Sequence, residues 1–474
     1  MNVLLANPPW KLDQASVYSR TGAVYPPLGL ASLASVVNER SSHNATVLDA
    51  WGMGMGLEAF RDELLRRKPD VLGLSAYTTT LSQVLAAAHA AKQALPDLVV
   101  VLGGPHATLL PNETIAHDYI DFVSRGEGEI LLVSLLEHLA SGNGSPDHIP
   151  GLTHKVGQRV VHNAGHGLVE DLDSLPHPQR EGLPMSLYRP ASGAYKRLPV
   201  TSMITSRGCP FNCTFCSKAV FGNRVRARSA NKMVEEVEYL IQQYGIREIY
   251  FADDCFTLDR ERTEAFCERV LSRSLDLTWT CSTRANLVDL PLLQMMKRAG
   301  CVSIGYGVES GHDEGMRAIK KGITIHQTRR ALAWTKSAGI ETRTSYIFGI
   351  PGEDLQSLQR TLDLALELNS DFVIFNLAIP FPGTELYRQA RESNLLLADG
   401  DQMYPLTDGA HVLIRLEDVT EAELTAFYSK AYRAYYLRPR YLMKRLSGIR
   451  SLHDLALNLR GLGAYLRWQR ETHV

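Results

Sequence analysis

Short apolar runs alternate with helix-length patterns along most of this chain, and that alternation constrains the fold more than any other feature. Over residues 1–140, apolar runs at 3–6, 46–48, 71–75, 99–102 and 122–124 are separated by helical patterns at 27–40, 57–67, 81–95 and 112–118. This spacing predicts a parallel sheet covered on both faces, a doubly wound, Rossmann-like α/β domain. A second series spans residues 196–390. Its strands are expected at 200–206, 248–252, 278–283, 302–308, 342–347 and 372–377, with helices at 229–244, 260–272, 290–299, 324–338 and 354–368. Six βα units predict a partial (β/α)6 barrel of TIM type. Between the two, residues 141–195 carry little periodicity and are broken by Pro176, Pro178 and Pro184, so a linker with one hairpin around Gly157-Gln158 is expected. Its histidines, His148, His154, His162, His166 and His177, are irregularly spaced and read as solvated loop residues. Residues 391–474 read as a helical region, with helices at 420–436, 440–446 and 452–470.

Both architectures bind ligands at the carboxyl ends of their strands. In the first domain these ends carry Thr78, Thr79, Gly103, Gly104, His106, Gly126 and Glu127. Glycines there let a large planar or phosphorylated ligand approach the backbone, and threonine hydroxyls bond amides or phosphates. The alternative is ordinary turn chemistry. In the second domain the strand ends carry Asp253 and Asp254, Ser282 and Arg284, Glu309 and Ser310, and Gly349 in a Gly-Ile-Pro-Gly-Glu turn.

Cysteine usage is the sharpest chemical signal. There are 7 cysteines, none before Cys209, and Cys209, Cys213 and Cys216 form a C-x₃-C-x₂-C cluster. A disulfide framework would spread them more evenly. A structural zinc site wants four closed ligands, typically in two pairs, and no second pair exists. Three thiolates on a cubane iron–sulfur cluster leave one iron open, where the amino and carboxylate groups of a methionine moiety can chelate. Of the other cysteines, Cys267 and Cys301 read as buried hydrophobes, while Cys255 and Cys281 near strand mouths leave a catalytic role open.

The cluster motif, with Phe215 before its last cysteine and just after a first strand, resembles the signature of radical S-adenosylmethionine (SAM) enzymes. That resemblance implies a 4Fe–4S cluster on Cys209, Cys213 and Cys216. It places Asp253 and Asp254 at the SAM amino group, Ser282 and Arg284 near its carboxylate, Glu309 and Ser310 near the ribose, and Gly349 at the adenine. The Asp-Asp-x-Phe-Thr wording is similar to the cobalamin-dependent branch. In agreement, YPPLGLASLASVV, VVLGGPHAT and RGEGE resemble the cobalamin-binding domain of such enzymes. No D-x-H-x-x-G motif occurs, so the likeness is to the subgroup with no protein histidine on cobalt. His106 is then expected at the corrin edge or in a structural hydrogen bond.

The activity implied is methylation of an unactivated carbon through a 5′-deoxyadenosyl radical and methylcobalamin. Rivals are a radical cyclase or oxidoreductase on the same cofactors, and a non-catalytic cobalamin-binding sensor. A one-electron donor such as a flavodoxin or ferredoxin is implied. The tail segment AYYLRPRYLMKRL resembles relatives of the anaerobic porphyrin cyclase, so the substrate expected is a small molecule, with a lipid or tetrapyrrole open. Between Arg433 and Arg470 lie 9 basic residues and 1 acidic residue. A helix packed on the barrel with a solvated basic face is expected there, and peripheral membrane contact is the alternative. With 50 basic and 51 acidic residues the chain shows no bias toward nucleic acid, and no signal peptide or membrane span is read, which makes it a cytoplasmic protein by expectation.

Overall fold

The computed structural model describes residues 1–9, 23–142, 144–165, 167–190, 194–404, 411–447 and 463. The helix expected at 452–470 lies outside them apart from residue 463, as does His166.

The first sheet contains β1 (Asn2–Asn7), β2 (Asn44–Asp49), β3 (Val71–Ser75), β4 (Val99–Gly103), β5 (Phe122–Ser124), β6 (Leu152–Val156) and β7 (Arg159–His162), in the order β2-β1-β3-β4-β5-β6-β7. β1 to β5 are parallel. The strand order reverses at β1, which opens a crevice between the carboxyl ends of β1 and β3. β1 shows why this sequence makes a two-sided sheet. Leu4 and Ala6 pack into one core and Val3 and Leu5 into another, all almost fully buried. The expected hairpin forms, with Gly157 at φ +59°. Its role differs from a simple connector, because β6 pairs antiparallel with β5 and extends the sheet. Its histidines are not all solvated either: His154 is buried beside Asp147, at 3.2 Å.

The second sheet is wholly parallel. β8 (Val200–Met203), β11 (Glu248–Phe251), β12 (Thr278–Thr283), β13 (Cys301–Glu309), β14 (Glu341–Phe348) and β15 (Phe372–Leu377) follow in sequence order across six strands. This is the partial barrel. A short antiparallel ribbon, β9 (Ser206–Arg207) with β10 (Arg226–Ala227), closes the base of the intervening loop. Alternate residues on each strand divide between lumen and outer core. Trp279 on β12 is fully buried among Phe251, Phe256 and Phe266 and donates Nε1–H to the Ala299 carbonyl at 2.7 Å.

An open barrel leaves an edge strand whose free backbone groups invite aggregation. Here the C-terminal helix Glu421–Tyr436 covers it with tyrosines one turn apart. The Tyr432 hydroxyl accepts from Phe375 N–H and donates to its carbonyl, and Tyr436 does the same at Val373. The described part of the tail is therefore packed on the barrel. No helix among the described residues is long and apolar enough to cross a membrane.

Candidate active site

The segment entering the cysteine loop is fixed from two sides. Thr205 N–H and Oγ1 donate to the two Asp253 oxygens at 2.6 and 2.5 Å, and Ser206 Oγ donates to Oδ2 at 2.8 Å. Arg207 turns the other way, to Glu129 at 2.6 Å and Glu127 at 3.3 Å in the first domain. Gly208 follows at φ +89°, where a Cβ would lie 2.3 Å from the Arg224 carbonyl oxygen, so only glycine fits.

Beyond it Cys209 and Cys213 are half-buried and Cys216 is exposed. A hydrogen bond from the Cys255 thiol, aided by Phe211 N–H, pulls the Cys209 thiol down to about 6 against burial. Cys216 is pushed up to about 11 by burial and then by the negative charges of Asp254, Cys213 and Cys209. The three sulfurs do not converge on a single-ion site among the described residues. Three thiols on one short loop are the donor set of a cubane cluster held by three cysteines with one iron left open. Two cations flank the loop. Arg284 stacks on Phe211 at 3.8 Å, with Nη1 3.6 Å from Cys213 Sγ, and bonds the Lys321 carbonyl. Lys321 lies over Phe215 at 5.7 Å.

The lumen gathers part of the expected set. Glu309 ends β13 at a register shift, with φ +69° and little exposure, a costly conformation for a residue with a Cβ. Its carboxylate accepts from Lys321 Nζ at 2.8 Å and Ser345 Oγ at 3.4 Å. Asp254 is exposed, and its carboxyl is raised by burial and by Asp253, as for a group facing a recess rather than open solvent. Ser282 stands half-buried on β12 beside Gly305.

Other expected residues serve the scaffold. Asp253 is consumed by Thr205 and Ser206, leaving Asp254 as the carboxylate of the pair that faces the cysteines. Ser310 is fully buried, 3.5 Å from the His312 carbonyl. Gly349 N–H and Ile350 N–H donate to Glu353 Oε2, and a Cβ on Gly349 would meet Leu424 at 3.0 Å. Burial raises the Glu353 carboxyl to about 7.

The first domain sorts the same way. His106 is fully buried, 3.2 Å from Thr78 Oγ1, 3.5 Å from Glu113 and edge-on to Tyr404. It makes a structural hydrogen bond and is closed off from solvent. Glu127 is no surface ligand either. It accepts two bonds from Arg226, at 2.7 and 2.9 Å, and one from Val169 N–H at 2.7 Å. Gly104, at φ +96°, is required by the Ala76 carbonyl, 2.9 Å from where its Cβ would stand. Gly126 N–H donates to Thr108 Oγ1 at 3.0 Å. Thr79 and Tyr77 are exposed beside half-buried Gly103, and burial nevertheless raises the Tyr77 phenol. An exposed tyrosine and threonine beside glycine backbone at the strand ends leave a surface on which a broad flat group can lie. Sequence reasoning missed Arg207 and Lys321, which carry no motif, and did not separate Glu129 within the RGEGE segment. Cys267, Cys281 and Cys301 are buried together in the barrel core.

Residues 203–365 match the family model of the radical SAM superfamily, and residues 17–136 match that of the B12 binding domain. The chain is 35% identical over 446 residues to an uncharacterised methyltransferase of Pyrococcus horikoshii, covering 94% of each chain. It is 28% identical over 397 residues to the anaerobic magnesium-protoporphyrin IX monomethyl ester cyclase of Rubrivivax gelatinosus, covering 82% of this chain and 70% of the cyclase. Its fold is that of TsrM, a radical SAM methyltransferase from Kitasatospora setae solved with cobalamin and a [4Fe–4S] cluster bound. The two superpose with a TM-score of 0.71 at 18% identity, covering 93% of this chain and 89% of TsrM.

Proposed function

The chain belongs to the cobalamin-dependent radical SAM methyltransferases, and on that premise we propose that Cys209, Cys213 and Cys216 hold the [4Fe–4S] cluster over which SAM is cleaved. In this reading residues 1–140 are the cobalamin-binding unit and residues 196–390 the radical core. When bound, the cluster and SAM supply hydrogen-atom abstraction and cobalamin supplies the methyl group. The chain's own residues bind and orient. Asp254 takes the SAM ammonium, Ser282 and Lys321 its carboxylate, and Glu309 the ribose hydroxyls. Arg284 steadies the cysteine loop through Phe211. Tyr77, Thr79, Gly103 and Gly126 line the corrin recess.

The acceptor is an unactivated carbon of a small molecule, and an extended lipid or tetrapyrrole suits a site set between two domains. The electron comes from a flavodoxin- or ferredoxin-type donor in the cytoplasm.

The observation that carries this reading is end-to-end likeness to a methyltransferase together with three cysteines on the loop after β8. Anaerobic reconstitution with iron, sulfide and hydroxocobalamin tests it. About four irons per chain, as a cubane requires, with one cobalamin and 5′-deoxyadenosine on reduction, are expected. Cys213→Ala should lose the iron and the nucleoside. A chain that takes iron but no cobalamin refutes the methyl-transfer reading. The likeness to the cyclase favours ring closure as a second reading, and product mass separates them: a gain of one methyl against a loss of hydrogen.

A further inference from the structure

β14 divides its side chains cleanly. Thr342, Thr344, Tyr346 and Phe348 are buried on the outer face, which leaves Arg343, Ser345 and Ile347 on the lumen side. Arg343 pairs in register with Gly305 of β13, which has no side chain to block it. Its guanidinium therefore crosses toward the Cys281 carbonyl, 3.4 Å away, and lies 5.8 Å from the Tyr250 ring. Its Nε is buried and has no hydrogen-bond partner, and no ion pair with Arg343 occurs among the described residues. Lys321 is paired with Glu309 and Arg262 with Asp253, whereas Arg284 bonds the Lys321 carbonyl and lies against Phe211 and Cys213. A half-buried guanidinium with one long bond to a neutral carbonyl is poorly compensated, and a planar oxyanion meets its fork geometry.

The walls beside it are apolar. Tyr250 packs at 5.7 Å against Tyr25 of the first domain, so this corner lies where the two domains meet. Ile374, opposite Ser345 on β15, is 52% exposed toward the lumen although its strand neighbours are buried.

We propose that Arg343 anchors the substrate, which carries a carboxylate or phosphoryl group on a flat apolar body held between Tyr250, Tyr25 and Ile374. This rests on the methyltransferase reading of the lumen as the substrate site.

The test uses fluorine NMR on the reconstituted holoenzyme with saturating SAM and no reductant. The probes are 4-fluorobenzoate, 4-fluorophenyl phosphate and the neutral 4-fluorobenzamide. The wild type should bind at least one anion roughly tenfold or more tightly than the amide, the scale of a charge-assisted pair, and the tighter anion identifies the group. Arg343→Gln should remove that preference while amide binding stays as it was, and Arg343→Lys should restore part of it. Equal binding of anion and amide, no binding of any probe, or an unchanged preference in Arg343→Gln overturns the inference. Because SAM is saturating, an Arg343 that serves the SAM carboxylate is already occupied and gives the overturning result. Iron, cobalamin and 5′-deoxyadenosine are measured on the same wild-type sample. If these are normal and the probes fail, only the anchor falls; if cobalamin is not taken up, the methyltransferase reading falls instead.

Discussion

Replacing Glu127 by glutamine should loosen the docking of the two domains by about 3 kcal/mol. The side chain is 1% exposed and faces Arg226 at 3% and Arg207 at 12%. Its carboxylate takes both Arg226 donors, at 2.7 and 2.9 Å, and Val169 N–H at 2.7 Å. The local balance is two carboxylates, Glu127 and Glu129, against two guanidiniums. Glutamine keeps one acceptor oxygen but removes a charge and points an amide N–H at a guanidinium. Arg207 retains Glu129, whereas Arg226 is left with the Val169 and Phe221 carbonyls. Breaking a buried pair by neutralising one partner costs about 3–5 kcal/mol, and the retained acceptor sets the lower figure. The loss is specific to docking because Glu127 belongs to the first domain and Arg226 to the ribbon under the cysteine loop. A weakening of about 3 kcal/mol is more than a hundredfold in the docking equilibrium. Calorimetry should show one transition splitting into two, and proteolysis between residues 163 and 199 should accelerate. In a double-mutant cycle with Arg226→Met, the double variant should recover about 2 kcal/mol relative to the sum of the singles, since no buried charge is then left alone. Strict additivity, or a Glu127→Gln variant with wild-type melting, would refute the reasoning.

Three further outcomes follow from local geometry. Glu353 holds its proton to about 7 when folded, against 4.5 when unfolded. Between those values the native state binds more protons, so stability falls as pH rises across the window and levels above it; Glu353→Gln should remove about 3 kcal/mol of that fall, read from urea unfolding at pH 5 and pH 8, and parallel curves for the two proteins count against it. Gly208→Ala places a Cβ 2.3 Å from a backbone carbonyl at a positive φ; cysteine-loop distortion should cut iron uptake severalfold while far-UV circular dichroism stays wild-type, and full iron loading would contradict this. Tyr432→Phe with Tyr436→Phe strips four hydrogen bonds from the outer edge of β15, which should cost about 1–3 kcal/mol for each buried backbone group left unpaired and raise thermal aggregation measured by light scattering.

The periodicity of the chain made both sheets legible, down to coincident bounds for Val71–Ser75, Thr278–Thr283 and Phe372–Leu377. Parallel strands buried on both faces are continuous apolar runs, and helices between them end in glycines such as Gly245, at φ +61°. Pairing across the chain was not legible. Nothing in residues 152–162 says that they extend the first sheet, because an antiparallel hairpin has the same sequence pattern whether its edge is paired or free. The same holds for Tyr432 and Tyr436. A helix-spaced tyrosine pair looks like ordinary core, and only the position of β15 at an open barrel edge turns its hydroxyls into backbone partners.

At the site, the strand-end rule found the right places and could not divide the labour within them. Where a strand stops, its backbone donors and acceptors lose their ladder and polar side chains are recruited to replace it, so the same loops that face a ligand also need internal partners. Asp253 and Asp254 are adjacent and chemically identical. The first turns back onto Thr205 and Ser206 and is spent on the approach to Cys209, and the second faces the recess. Glu127 and His106 went to the scaffold in the same way, and the RGEGE turn reads as a cofactor loop although its two carboxylates hold Arg207 and Arg226. This has a consequence for control of the reaction. The residue bonded to Glu129 is two positions before the first cysteine, so the loop that carries the thiols is registered directly against the carboxyl end of β5 in the other domain. A radical made at the cysteines must meet a carbon held within van der Waals reach, and shifts of about 1 Å cost large factors in rate. A buried four-charge contact supplies that registration better than an apolar one, because charges fix orientation as well as distance, while apolar surfaces slide.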